Sequence, residues 1–143
     1  MDARFTSLLD QLESKFKALT EMVPVLIQSF PVKDKRPGVY LFSEGTHHLY
    51  VGRTNHVRSR WGNHCNPGSG PKSAAFAIKL ARRETGLQSK RYPDFKAAFT
   101  AAKARIRNMS FRFVEEADPT RQALLEIYCA IVLETPYNDF DNH

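Results

Sequence analysis

The chain has 143 residues, 42% of them hydrophobic, and carries a formal net charge of +6. This length fits one domain with a single core, and the composition is that of an ordinary globular protein. No apolar run approaches the roughly 20 residues of a membrane span, and the acidic, helix-patterned N-terminus is unlike a signal peptide. Cys65 and Cys129 have no paired spacing, which favours a reduced, cytoplasmic protein.

The first third of the chain predicts a helix and then a β-hairpin. Apolar residues recur at helical spacing over residues 3 to about 20, namely at Phe5, Leu8, Leu9, Leu12, Phe16 and Leu19. We expect this amphipathic helix to pack against the domain, with a homodimer contact as the alternative. Residues 39–42 and 48–51 predict two strands, because Glu44-Gly45-Thr46 is typical of the turn between them.

The middle of the chain predicts three helices and a strand. A short helix begins near Asn55 and is followed by a loop rich in Gly and Pro. Residues 73–86 predict a helix with Ser73 as its N-cap and Gly86 as its stop, and residues 95–107 predict another. Residues 110–116 alternate between apolar and polar and predict a third strand. We therefore expect one small α/β domain, a three-stranded and mainly antiparallel sheet flanked by helices.

The last predicted helix carries an acidic residue in an apolar segment. Asp118 and Pro119 are typical of an N-cap and a first helical position, and residues 123–133 are apolar except at Glu126 and Tyr128. A helix that is hydrophobic on all sides is expected to be buried. A buried carboxylate is costly unless a cation pairs with it, and the same helix face offers none. We therefore expect Arg60 or a metal ion to pair with Glu126.

Positive charge is concentrated in the middle of the sequence. Residues 45–114 hold 14 Lys or Arg against two acids, and the flanks hold 7 against 13, which gives +12 and −6. A solvated basic surface is the plain interpretation. So strong a segregation nevertheless favours a polyanionic partner such as nucleic acid, and it favours nucleic acid over a membrane surface because the charges do not follow one amphipathic helix.

Several polar residues on different predicted elements could act together. They comprise a tyrosine on each hairpin strand, a stripe at i, i+4 and i+8 on the short helix, and two later residues: Tyr40, Tyr50, His56, Arg60, His64, Glu126 and Asn138. Each has a plain structural interpretation, such as packing for the tyrosines or a turn for the asparagine. A zinc site built from the histidines is disfavoured, because the chain lacks the usual ligand spacings.

Two tripeptides, Gly38-Val39-Tyr40 and Tyr50-Val51-Gly52, resemble the signature of the GIY-YIG endonuclease family, with Val replacing Ile in both. The resemblance continues in chain order with a basic residue, an Arg, a His, a helical Glu and an Asn, here Arg53, Arg60, His64, Glu126 and Asn138. It is close over residues 37–64 and looser over 110–138. The resemblance implies a GIY-YIG-like nuclease domain at residues 37–143, with residues 1–36 as an N-terminal helical extension.

This resemblance implies a metal-dependent DNA endonuclease that hydrolyses phosphodiester bonds, with DNA repair as one setting. Glu126 would hold the Mg²⁺ (or Mn²⁺) ion, Arg60 would contact the phosphate, and His64 would hydrogen-bond a tyrosine or the phosphate. A tyrosine would act as general base. We favour Tyr50 because it lies close to Arg53, and Tyr40 stays a candidate. Asn138 would anchor the tail against the site.

The basic residues are expected to follow the phosphate backbone of the DNA. They are Arg58, Lys72, Lys79, Arg82, Arg83, Lys90 and Arg91, and further along Lys96, Lys103, Arg105 and Arg107. A catalytically weak nucleic-acid-binding module of the same fold is the alternative, and a structural adaptor acting through the N-terminal helix is a third possibility. Each site position holds the residue type expected of an active nuclease, which favours cleavage.

Overall fold

A computed structural model describes residues 1–26, 30–87 and 92–140. Lys90 and Arg91, two expected DNA contacts, lie outside the described residues. The chain divides into two compact units, Met1–Arg58 with Ser110–His143, and Ser59–Met109. We call them unit 1 and unit 2. Among the described residues, no helix is both long and apolar enough to cross a membrane.

Unit 1 is built on a three-stranded antiparallel sheet, as the sequence predicts. Its strands are β1 (Gly38–Glu44), β2 (His47–Thr54) and β3 (Ser110–Glu115), in the order β2-β1-β3. Gly45 forms the hairpin turn with a φ of 58°, a backbone conformation that favours glycine. The register places Tyr40 opposite Gly52 and Phe42 opposite Tyr50.

Alternate side chains divide this sheet into two faces. Val39, Leu41 and Val51 point to one face, where they form a buried core with Leu19, Leu125 and Cys129. These last three residues belong to α2 (Leu12–Glu21) and α6 (Pro119–Leu133), which therefore cover that face. Tyr40 and Tyr50 point to the opposite face.

The N-terminal segment forms two helices, α1 (Ala3–Leu9) and α2, where the apolar spacing predicts one. Gln11 breaks the pattern with a φ of 66°, a left-handed conformation that no helix interior contains. Leu19 is fully buried in the core, so α2 packs against its own chain as expected. The prediction of one continuous helix is wrong because hydrophobic spacing does not reveal a local change of backbone direction.

Unit 2 contains most of α3 (Val57–Cys65), together with α4 (Ala75–Thr85) and α5 (Pro93–Arg107). The helices α4 and α5 pack on one another through buried aromatic and aliphatic side chains, including Phe76, Leu80, Phe95 and Ile106. Gly86 ends α4 in a left-handed conformation as predicted. Ser73 is not the N-cap of α4, because Ala74 holds that position and makes no side-chain capping bond.

The helix α6 begins as the sequence predicts but is not enclosed. Asp118 accepts a 2.8 Å hydrogen bond from the Arg121 backbone, and Pro119 is the first helical residue. However, Ile127, Ile131 and Val132 are 43%, 61% and 48% exposed. The expectation of burial on all sides is therefore wrong, because the sheet and α2 cover only one stripe of the helix.

Candidate active site

The ring of Tyr40 is held by aromatic neighbours on its face of the sheet. It stacks on Phe111 with ring centroids 5.9 Å apart, and it meets Phe42 edge to face at 5.7 Å. Only 2% of the residue is exposed. Packing against these two rings restricts the direction in which the phenol points.

Gly52 leaves the space that the Tyr40 phenol fills. A Cβ placed on Gly52 would overlap both the hydroxyl oxygen and the ring of Tyr40. The phenol therefore lies directly over the backbone of β2, which is an edge strand of the sheet. Position 38 requires glycine for a similar steric reason, since a Cβ there would overlap the carbonyl oxygen of Val114. At both glycine positions of the signature, neighbouring atoms therefore lie too close to leave room for a Cβ.

Tyr50 lies on β2 on the same face as Tyr40. It faces Phe42 across the hairpin and is 9% exposed, so it is more accessible than Tyr40. The structure therefore places both tyrosines on one face of the sheet.

Glu126 lies on α6, which covers the other face of the sheet, and its side chain is half-buried. Burial first, and then the negative charge of Glu126, raise the pKa of Cys129 to about 12, so this thiol is neutral at pH 7. The expectation of a fully enclosed carboxylate is wrong, because Glu126 is only half-buried. An all-apolar segment does not reveal which of its faces meets the sheet.

An open polar pocket lies on the Glu126 side of β2. Its volume is about 360 Å³, and Arg53, Thr54, Asn55 and Gln122 line it. The Arg53 guanidinium donates to the carbonyl of Pro119 at 3.3 Å, which places this cation at the start of α6.

Gln122 is a pocket residue that the sequence interpretation missed. It is 2% exposed and lies one helical turn before Glu126. Its amide nitrogen donates to the Glu116 carbonyl at 2.6 Å. The sequence does contain a signal for Gln122. It lies four residues before Glu126, and this spacing puts both side chains on one face of the helix.

Asn138 fastens the chain after α6 to the outer edge of β2. Its amide nitrogen donates to the Val51 carbonyl, and its amide oxygen accepts from the Val51 N–H, both at 2.8 Å. The Thr135 hydroxyl donates to the same oxygen at 2.7 Å. Since Val51 lies between Tyr50 and Gly52, this side chain holds the strand at the centre of the signature.

The start of α3 rests on a loop that an ion pair stiffens. The Val57 N–H donates to the Arg36 carbonyl at 3.1 Å, and Arg58 donates to that of Asp34 at 3.4 Å. Arg36 pairs with Asp34 at 2.9 Å and holds the pKa of that carboxyl below its ordinary value. The Arg58 backbone is thereby fixed, and its side chain is half-buried.

Within unit 2, Arg60 and His64 lie one turn apart on α3. The Arg60 guanidinium donates to the Ser73 carbonyl at 3.1 Å. His64 is fully buried and meets Phe76 edge to face at 6.5 Å. Burial, followed by the charge of Arg60, lowers the pKa of His64 to about 3, so the ring is neutral at pH 7. A direct contact of His64 with a phosphate does not fit a ring with no exposed surface.

The expected DNA-contacting residues fall into two groups. One group is exposed, or half-buried in the case of Lys79, and comprises Lys72, Lys79, Arg82, Arg83, Lys96, Arg105 and Arg107. Lys103 is instead 5% exposed and donates to the carbonyls of Pro67 and Ser69 at 2.7 and 2.9 Å. Arg107 lies over the Trp61 ring at 5.2 Å and bonds Asn66 at 3.2 Å. The expectation that Lys103 follows a DNA backbone is therefore wrong.

The carboxylate on α6 fits a hydrated magnesium ion better than a zinc ion. The described residues contain no cluster of three or more His, Cys, Asp or Glu side chains that could enclose a metal. Zinc sites need three or four such ligands, whereas Mg²⁺ binds through one or two carboxylates and keeps several waters. A single half-buried Glu126, one helical turn after the pocket residue Gln122, is compatible with the second kind of site.

Comparison with protein families gives one result that covers most of the chain. A family model described as the GIY-YIG catalytic domain matches residues 36–130. The match includes both tripeptides and Glu126, and it ends before Asn138. Comparison with curated proteins and with solved structures gives no significant match.

Proposed function

The chain belongs to the GIY-YIG family, a family of nucleases, and on this premise we propose that it is a metal-dependent endonuclease that hydrolyses phosphodiester bonds in DNA. One observation carries the proposal. The two signature tyrosines lie on one face of the edge strand β2, while Arg53 and the helix of Glu126 lie at the other face of the same strand. A phosphate placed at this edge would have the tyrosines on one side of the strand, and Arg53 and Glu126 on the other.

Glu126 would hold the metal ion, Mg²⁺ or Mn²⁺. The bound ion would neutralise charge on the scissile phosphate and help to orient it. The pocket lined by Gln122, one helical turn before Glu126, supports this role, because Arg53 and the side chains of Thr54 and Asn55 supply the cationic and polar groups that phosphate oxygens require.

A tyrosine would take the proton of the attacking water. A free phenol has a pKa of about 10, so a cationic neighbour is needed to favour its ionised form near neutral pH. We favour Tyr50, which is 9% exposed against 2% for Tyr40. Tyr40, whose ring packs against two aromatic side chains, would orient the water or the phosphate.

Unit 2 would supply phosphate contacts. Arg60 has a guanidinium whose permanent charge and planar shape suit phosphate oxygens. Exposed basic residues on α4 and the preceding loop, such as Lys72 and Arg82, would position the DNA backbone without reading its sequence. Cys65 and Cys129 are buried and form no disulfide, which supports a reducing compartment such as the cytoplasm.

Incubation of the protein with supercoiled plasmid in Mg²⁺, Mn²⁺ or EDTA tests the proposal. We expect relaxed or linear DNA in either metal and none in EDTA. A mobility shift without cutting would instead favour the binding-module alternative. A dimer through the N-terminal helices is tested by sedimentation, and α2 offers it little support because Leu19 lies in the chain's own core.

A further inference from the structure

A buried lysine in unit 2 has a role that surface charge does not explain. We propose that Lys103 is a positioning residue for the phosphate-binding Arg60, and that it acts through the loop of residues 66–73. We call this segment the 66–73 loop. The inference rests on the proposed function, because it assigns Arg60 to the phosphate.

The surroundings of Lys103 are those of a structural cation. Its ammonium donates to the carbonyls of Pro67 and Ser69 at 2.7 and 2.9 Å, and it lies 4.5 Å from the centre of the Phe99 ring. Within the described residues, no carboxylate pairs with it. A buried cation is costly, and here two charge-assisted hydrogen bonds and an aromatic face offset that cost.

Further hydrogen bonds restrict the 66–73 loop beyond the two carbonyls that Lys103 binds. Ser69 is tied back to Asn66 by a 2.9 Å backbone bond, and its hydroxyl donates to the Gly62 carbonyl of α3 at 3.1 Å. Further on, the N–H of Ser73 donates to the Gly70 carbonyl at 3.1 Å. A short segment with bonds at both ends has little freedom once Lys103 fixes its middle.

Arg60 is the side chain at the end of this path. Its guanidinium donates to the Ser73 carbonyl at 3.1 Å. Without the ammonium of Lys103, the carbonyls of Pro67 and Ser69 would need other donors, and the loop would rearrange to reach water. The Ser73 carbonyl would then move, and Arg60 with it. Small displacements of a positioned group lower catalytic rates strongly, by about a hundredfold for 1 Å.

Lys103→Met tests the path, because methionine keeps the length of the side chain and removes its charge. We expect kcat to fall between about tenfold and a hundredfold. The dependence of DNA binding on salt should stay as in the wild type, because Lys103 does not contact phosphate. Lys96→Met, which removes an exposed lysine of the same helix, should instead raise KM and reduce the salt dependence.

A double-mutant cycle separates positioning from general damage. In an Arg60→Ala background, we expect Lys103→Met to change kcat by less than about twofold, since the group that it positions is gone. Equal losses of kcat in both backgrounds would overturn the proposal. Lys103→Arg, which keeps a charged donor, should restore part of the rate, and circular dichroism checks that each variant folds.

A readout without cleavage keeps the inference separate from the proposed function. If the wild type cuts no DNA, the nuclease proposal fails, but the path can still be tested by NMR. Lys103→Met should shift or broaden the Nε–H signal of Arg60 and speed hydrogen exchange at Ser73 and Ala74, whereas Lys17→Met should change neither. Unchanged Arg60 and Ser73 signals in folded Lys103→Met would contradict the inference.

Discussion

At the scale of single residues, steric contacts explain the two glycines of the signature. Gly52 and Tyr40 are cross-strand partners, and the phenol occupies the volume where any other residue would carry its Cβ. The tripeptides could be recognised from the sequence. The sequence could not show that Gly52 makes room for Tyr40, because this contact depends on the strand register.

Replacing Gly52 by alanine should displace Tyr40. We expect Gly52→Ala to lower the free energy of unfolding by about 1–3 kcal/mol, as overpacking usually does. DNA cleavage should fall by about a hundredfold, because the phenol moves. Chemical denaturation and single-turnover cleavage measure the two effects. Gly68→Ala is the control for the stability effect, since a Cβ there meets nothing within 4 Å. Normal cleavage by Gly52→Ala would show that the position of Tyr40 is unimportant.

His64 should make the fold sensitive to acid. Burial lowers its folded pKa to about 3 from an ordinary 6.5, so the unfolded chain binds more protons between these pH values. The contribution of His64 to the free energy of unfolding is fully present above pH 6.5 and is lost progressively as pH falls towards 3. The total loss is on the order of a few kcal/mol. Urea denaturation at several pH values should reveal this slope in the wild type. His64→Gln should flatten it, and an identical slope in both would refute the assignment.

At the scale of elements, the tail after α6 acts as an addition to the edge of β2. Asn138 uses a side-chain amide to satisfy both backbone groups of Val51, as a neighbouring strand would. The backbone of Tyr137 adds a 3.2 Å bond to the Leu49 carbonyl. Such a cover protects an edge strand from pairing with another chain.

Removing the Asn138 amide should release this cover. We expect Asn138→Ala to cost about 1–3 kcal/mol of stability, because two backbone groups lose their partners. Hydrogen exchange at the Val51 amide should accelerate, and cleavage should weaken. Asn108→Ala, which removes only a local bond to Ala104 at the end of α5, is the matched control. Unaltered protection of Val51 would mean that Asn138 does not hold the strand.

Element types were largely predictable and their environments were not. The Asp118 cap, the Gly86 stop and the hairpin follow from local chemistry, so the sequence predicts them correctly. The exposure of Ile131 and the burial of Lys103 depend on which elements pack nearby, and no local pattern carries that information. For the same reason the sequence could not show that Glu126 is only half-buried.

At the scale of the whole molecule, charge is divided between the two units. Residues 59–109 hold 11 Lys or Arg against two acids, so the basic segment coincides with unit 2. The tyrosines, Glu126 and Asn138 all belong to unit 1. We propose on this basis that unit 2 supplies most of the affinity for DNA, while unit 1 holds the tyrosines and the metal-binding carboxylate.

Replacing exposed cationic residues of unit 2 by neutral ones should weaken DNA binding and make it less dependent on salt. Lys72→Gln and Arg82→Gln should each reduce the slope of log affinity against log salt by about 1. Fluorescence anisotropy with a short duplex in EDTA measures this slope without cleavage. Lys17→Gln in α2 is the control, because it removes an exposed lysine of unit 1. Equal effects of all three changes would place the binding surface elsewhere.

The central claim is that Glu126 holds the metal ion on which cleavage depends. Its most direct test is single-turnover cleavage of a labelled duplex by the wild type and by Glu126→Gln, across a titration of Mg²⁺. Glutamine keeps the shape and removes the charge, so we expect a loss of at least about a hundredfold in rate, with duplex affinity in EDTA unchanged. Cleavage by Glu126→Gln at the wild-type rate, with the same Mg²⁺ dependence, would contradict the account.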